Sequence, residues 1–206
     1  MYARTVTMQV RPARIAVGIA HVRDEMMPTL SSIPGFVGMS LLVDRSFGRC
    51  IATSAWKSEE AVHSSASRAN VIRDRAMHVF GGEGVVEEWE VTYLRRAKPT
   101  RRGAFARVTR LEVDPQRIDQ SIGVFKFATL PVVEEFEGFC SASLLVDRAS
   151  GRGVACVAYD SFPAMQASRE PAAGLRTRTA RDAGVWTPDV GEYELAIARF
   201  AVPDTQ

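Results

Sequence analysis

The chain repeats itself. Gly35-Phe36, Ser40-Leu41-Leu42-Val43-Asp44-Arg45 and Gly48-Arg49 return as Gly138-Phe139, Ser143-Leu144-Leu145-Val146-Asp147-Arg148 and Gly151-Arg152, an offset of 103 residues (35 to 138). The offset holds without a gap from Arg4/Arg107 to Ser58/Ser161, with about 20 identities in about 55 positions. Near the end it becomes 104, pairing Glu88-Trp89-Glu90 with Glu192-Tyr193-Glu194. The indel falls in the loop before the last strand, where insertions are tolerated. Self-similarity on this scale means two copies of one supersecondary unit. The copies span 1–95 and 104–206. The basic run between them, residues 96–103, reads as a solvated linker rather than an anion patch.

Each copy reads as βαββαβ. Thr5–Val10 alternates with period two, the pattern of a half-buried strand, and Pro12 ends it or opens the next element. Ile15, Ile19, Val22, Met26, Leu30 and Ile33 then recur at steps of three and four, the apolar stripe of a helix. The second copy keeps that stripe at Ile118, Ile122, Phe125, Thr129, Val133 and Phe136. Pro28 and Pro131 fall at the same place inside it, where a kink or break is expected, and Pro34-Gly35 stops the first copy's helix. Phe36–Val43 and Cys50–Trp56 form a hairpin around a short turn, with Asp44–Arg49 and Asp147–Arg152 as staples across its mouth. Ser58 caps a second helix, with Glu59 and Glu60 in its electropositive first turn. That helix runs to about Phe80 and stops at Gly81-Gly82. Trp89, Val91 and Tyr93 alternate along a closing strand, as do Tyr193, Leu195 and Ile197. The fold class is therefore α+β: two ferredoxin-like repeats whose antiparallel sheets each carry helices on one face. Packing the two sheets together within the chain hides the bare faces and covers the strand edges.

Pro34-Gly35-Phe36, the Leu-Leu-Val-Asp strand and Trp56-Lys57-Ser58-Glu59-Glu60-Ala61 resemble the dimeric α/β-barrel superfamily, in particular antibiotic-biosynthesis-monooxygenase-like (ABM-like) domains. The likeness covers nearly the whole chain, twice. The second copy departs from it at Tyr159-Asp160-Ser161-Phe162-Pro163-Ala164. The resemblance implies one intramolecular barrel equivalent to a fused dimer, a monomer with an internal pseudo-dimer that leaves further oligomerisation open. It implies a pocket between sheet and helices. It also implies activities ranging from cofactor-free oxygenation of quinol-like or polyketide aromatics to haem degradation. The haem-degrading branch uses an Asn on the first strand and a Trp and a His on the second helix. Here the first strand offers Thr5, Thr7 and Gln9, and Ser64 and Asp74 stand at the helix positions.

An oxygenase of this kind binds an aromatic, helps remove a proton and shields the intermediate from water. The candidates for proton or anion handling are His63, His78 and Arg73. Those for the aromatic walls and polar contacts are Trp56, Trp89, Tyr93 and Asn70. The competing readings are structural: strand tryptophans as core, helix arginines as a solvated face. All three histidines, His21, His63 and His78, lie in the first copy. Pro171 and Gly174 raise the cost of a regular second helix in the second copy, by about 3 and about 1 kcal/mol. Together these place the better-formed cavity in the first copy, between its sheet and the helix over 58–80. His63 and His78, 15 residues apart on one helix, are roughly 22 Å apart along its axis, so no single metal ion bridges them, and no cofactor is called for. The alternative is a non-catalytic ligand-binding or structural barrel protein.

Composition narrows the partners. With 26 Lys+Arg against 24 Asp+Glu, the net charge of +2 is too even for nucleic-acid binding driven by charge. No apolar run approaches the ~20 residues that cross a bilayer. The N-terminus carries Arg4 within an alternating stretch and reads as no targeting signal. Three cysteines, Cys50, Cys140 and Cys156, form neither a disulfide framework nor a zinc cluster, which fits a reducing cytoplasm. The expected partner is a small apolar or aromatic molecule.

Overall fold

The computed structural model of the chain describes residues 1–100, 103–187 and 189–200. Arg101 and Arg102 of the basic run, and the end of the second copy beyond Phe200, lie outside them. β1 (Tyr2–Gln9) leads through a 3₁₀ turn at Pro12–Arg14 into α1 (Ile15–His21) and α2 (Met27–Ser31). β2 (Phe36–Asp44) and β3 (Arg49–Trp56) follow, then α3 (Glu59–Phe80) and β4 (Glu83–Arg96). The same order recurs as β5 (Phe105–Glu112), α4 (Ile118–Val124), α5 (Leu130–Glu134), β6 (Phe139–Asp147) and β7 (Arg152–Tyr159). The second series ends with α6 (Phe162–Ala167), α7 (Arg169–Ala183) and β8 (Val190–Phe200).

Local chemistry accounts for the joints. The Ser58 side chain accepts the Ala61 N–H, and Gly81 closes α3 in the left-handed region at φ 65°, where a Cβ is disfavoured. Pro28 has no N–H for the Asp24 carbonyl, and its ring would collide with that carbonyl in an α-helix. The chain widens into a π turn over Val22–Met26, and the Met27 N–H reaches back to the Val22 carbonyl. Pro131 is accommodated identically by Phe125–Thr129. The interruption expected at each proline is thus one wide turn placed just before it. In the second series Pro171 cannot bond to the Ala167 carbonyl, and the helix is divided at Ser168, between α6 and α7.

The strands pair antiparallel, and the hydrogen-bonded order β1-β3-β2-β8-β5-β7-β6-β4 closes on itself. Both hairpins have the expected register, Asp44 opposite Arg49 and Asp147 opposite Arg152. Their carboxylates and guanidiniums approach to 4.0 and 3.6 Å. Cys156 faces Ser143 rather than Cys140, and all three cysteines are free. Burial pushes the Cys50 thiol up to about 12, with Asp44 adding to it, so it is a small core side chain rather than a nucleophile.

Two compact units result, and neither is simply one sequence copy. Unit 1 comprises Met1–Trp89 with β8 from Glu194 onward; unit 2 comprises Glu90–Tyr193. In unit 1, β8 pairs with β2 from Val43↔Glu194 to Gly38↔Phe200. In unit 2, β4 pairs with β6 from Glu90↔Val146 to Arg96↔Ser141. Each unit's sheet is completed by the closing strand of the other series.

The interiors differ. Unit 1 has a continuous core in which Met8, Ile15, Val22, Met26, Met39, Leu41, Trp56 and Phe80 are all buried. In unit 2 the buried side chains fall into separate clusters. One joins Ile118, Ile122 and Phe125 to Leu144 and Val146; another joins Leu130 and Val133 to Phe139 and Leu175.

Candidate functional site

What separates the clusters of unit 2 is a cavity of about 110 Å³ between the sheet and its own helices. Leu111, Leu144 and Val146 line it from the strands, Ile122 and Phe125 from α4 and its π turn, and Leu175 from α7. This corrects the expected location, which was the first copy. The reason is volume. At the offset of 103, Met39 becomes Ala142, Cys50 becomes Gly153, Met26 becomes Thr129 and Phe80 becomes Ala183. In unit 1 the Phe80 ring packs so closely over α1 that a Cβ on Gly18 would overlap it. In unit 2 the ring is gone and Ser121 replaces the glycine. The broken second helix, which argued against a pocket here, leaves α7 intact over the cavity.

Two arginines and a tyrosine of the lining, Arg107, Arg176 and Tyr159, lie near one another. Arg107 on β5 is buried. Its guanidinium donates to Glu192 at 2.9 Å, to the Ser168 hydroxyl at 2.8 Å and to the Met165 carbonyl at 2.7 Å, and it lies over the Tyr159 ring at 5.8 Å. Burial would raise the Glu192 carboxyl, but hydrogen bonds from Arg169, Arg107 and Gln166 outweigh it and hold the group at about 2. Burial raises the Tyr159 phenol, although its hydrogen bond with Ser168 and the nearby Arg107 oppose the shift. Tyr159 is therefore neutral in the physiological range. Arg176 on α7 also lines the cavity. Among the described residues it makes no hydrogen bond or ion pair, and burial, then the like charge of Arg107, lowers its pKa.

Unit 1 carries the same buried device beside its continuous core. Arg4 donates to Glu88 at 2.8 Å, to Ser65 at 3.2 Å and to the Val62 carbonyl at 2.7 Å, and lies 6.0 Å from the Trp56 ring centroid. The Arg–Glu–Ser set is thus a structural staple in both units. In unit 2 its Arg107 also forms a wall of the cavity.

None of the seven residues singled out from sequence lines this cavity. His63 is exposed, its Nε2 3.4 Å from Glu88, and His78 is exposed near the end of α3. Arg73 donates to Asn70 at 3.0 Å and to Asp74 at 2.9 Å on the surface of α3. Trp56 is fully buried with its indole N–H on the Ser54 hydroxyl, and Trp89 is buried with its N–H on the Thr5 hydroxyl at 2.8 Å. Tyr93 belongs to unit 2, where it packs edge-on against Phe125, one residue removed from the cavity. Arg107, Tyr159 and Arg176 were missed. The signal was available in the 103-residue alignment, as a run of large-to-small replacements facing one another.

A closed order of eight antiparallel strands, with helices on the sheet and a pocket beneath them, is an α/β barrel, and solved structures share this fold. A candidate monooxygenase from Lactobacillus acidophilus superposes with a TM-score of 0.69 over 97% of this chain and 96% of its own, at 9% identity. An anthrone oxidase-like protein gives 0.67 over 97% and 93% at 14% identity. LmHde, a heme-degrading enzyme from Listeria monocytogenes, gives 0.54 over 93% and 98% at 12% identity. At these identities the likeness is one of fold. The chain belongs to the family of Rv2557 and Rv2558, uncharacterized proteins of Mycobacterium tuberculosis strain H37Rv. It is 47% identical to each, over 99% of its own length and 91% and 87% of theirs. No protein-family model matches the chain.

Proposed function

We propose that the protein binds one small aromatic molecule in the cavity of unit 2 and acts there as a cofactor-independent monooxygenase on a quinol-like substrate. The cavity carries this reading: apolar walls, two arginines in the lining and a volume matched to a single ring. An engineered apolar cavity of about 150 Å³ takes benzene, so about 110 Å³ accommodates one ring with slight adjustment. A fused polyketide ring system would extend beyond this volume, so the one-ring quinol-like class is the better match.

The chemistry asks little of the protein. A dihydroxybenzene supplies the electrons, takes up one dioxygen, gains one oxygen atom as a hydroxyquinone and releases one water. Arg107 and Arg176 favour ionisation of the ring oxygen by stabilising its negative charge. Leu144, Phe125 and Leu175 keep water from the intermediate. Tyr159, kept neutral, is positioned as a hydrogen-bond donor.

A second reading, ligand binding without turnover, is favoured by one observation. Among the described residues no carboxylate or histidine lines the cavity, and the nearby Glu192 carboxylate is committed to three partners. Calorimetric titration with one-ring dihydroxyaromatics and oxygen-electrode measurements on the same samples separate the readings. Saturable binding with one dioxygen consumed per hydroxyquinone formed is the expected result. Binding without oxygen uptake selects the second reading. Ala142→Met, which installs the side chain found at position 39, should abolish binding; unchanged binding in that variant would remove the cavity from the account.

A further inference from the structure

Arg73 and Arg176 occupy equivalent places on the two second helices, and their surroundings have diverged. Arg73 is held on the surface of α3 by Asn70 and Asp74. At the corresponding positions of α7 stand Ala173 and Thr177, and the Thr177 hydroxyl is turned to the Ala173 carbonyl of its own helix. Arg176 has neither partner and lines the cavity together with Arg107 and Tyr159, among mostly apolar side chains. Arg176 is half-buried, and a guanidinium partly withdrawn from water without a bonded counter-charge is costly. The groups that interact electrostatically with it are Arg107 on β5, Tyr159 on β7 and Glu192 on β8. Glu192 favours the charged form of Arg176 from a distance but is already bonded to Arg107, Arg169 and Gln166, so among the described residues Arg176 has no hydrogen-bonded counter-charge of its own. Arg107, with its donors already engaged, adds a second positive charge rather than a second free fork.

We propose that the cavity takes its ligand as an anion: a one-ring phenolate whose charged oxygen pairs with Arg176 while the ring lies among Leu144, Phe125 and Leu175. This rests on the cavity being the ligand site, and makes Arg176 the residue that selects the ionised form. A carboxylate or ionised phenol offers the guanidinium the charge-assisted hydrogen bonds it lacks, while a neutral ring of equal size offers none.

4-Nitrophenol, whose phenolate is coloured, and nitrobenzene, its neutral counterpart, test this on the full-length protein. The pKa of bound 4-nitrophenol is read from its absorbance, and nitrobenzene affinity is measured alongside. Wild type is expected to lower the bound pKa by at least one unit, a preference of tenfold or more for the phenolate. Arg176→Lys should keep most of that preference, and Arg176→Leu should lose it while still binding nitrobenzene, which shows the cavity intact. An unchanged or raised bound pKa in wild type overturns the anion inference and leaves the cavity reading standing. So does phenolate binding by Arg176→Leu equal to that of wild type. Failure of wild type to bind either compound overturns both.

Discussion

At the scale of single residues, the buried arginines show how one arrangement serves two ends. Arg4 and Arg107 each tie a strand to the start of a second helix and to the closing strand. Neither was legible as buried, because an arginine on an alternating strand reads as solvent-facing; what keeps it inside is a glutamate about 84 residues away. The pairing has a measurable consequence at Glu192. Its carboxyl lies at about 2 in the folded protein, against about 4.3 in an unfolded chain. A depressed carboxyl stabilises the fold fully above the unfolded value and loses that contribution as pH falls through the folded one. Unfolding free energies from urea titrations should therefore decline from about pH 5 towards pH 2, and Glu192→Gln should flatten that part of the profile. An identical decline in the variant would assign the acid sensitivity elsewhere.

At the scale of elements, fill and void are set by pairs of positions that face each other across a helix and a sheet. The strands, the caps and the glycine stops were readable because each depends on neighbours in sequence. The site was not, because its volume comes from Ala142, Gly153 and Thr129 together, on three separate elements, with Ala183 standing where unit 1 has Phe80. The histidines and tryptophans drew attention to the first copy, yet the two tryptophans are there to fill it. Phe80→Ala should destabilise the protein by about 3–5 kcal/mol and open a cleft over Gly18. The reverse change is not free. Ala183→Phe places a ring against Ser121, where unit 1 has glycine, so it should overpack and destabilise by about 1–3 kcal/mol. Adding Ser121→Gly should recover most of that loss and still abolish ligand binding. Thermal unfolding and the ligand titration read both effects, and a single Ala183→Phe variant as stable as wild type would count against the facing-pair account.

At the scale of the whole molecule, closing strands are exchanged between the two series. β8 completes the sheet of unit 1 and β4 that of unit 2. A fragment ending at residue 100 keeps β3 but lacks the second partner of β2, and a fragment beginning at residue 104 keeps β7 but lacks the second partner of β6. Each leaves a bare strand edge. Neither should fold as a monomer, and the intact chain should unfold in one calorimetric transition; two resolved transitions, or a well-dispersed NMR spectrum from either fragment, would contradict this.

The contrast between Phe80 and Ala183 carries one more consequence. In a barrel assembled from two identical chains, symmetry writes every substitution twice: a ring that plugs one cleft plugs the other, and a void that admits a guest weakens both walls. A chain that carries both series under separate codons is released from that rule. One lobe can be selected for rigidity and the other for chemistry, and the loss of packing in the hollow lobe is not doubled.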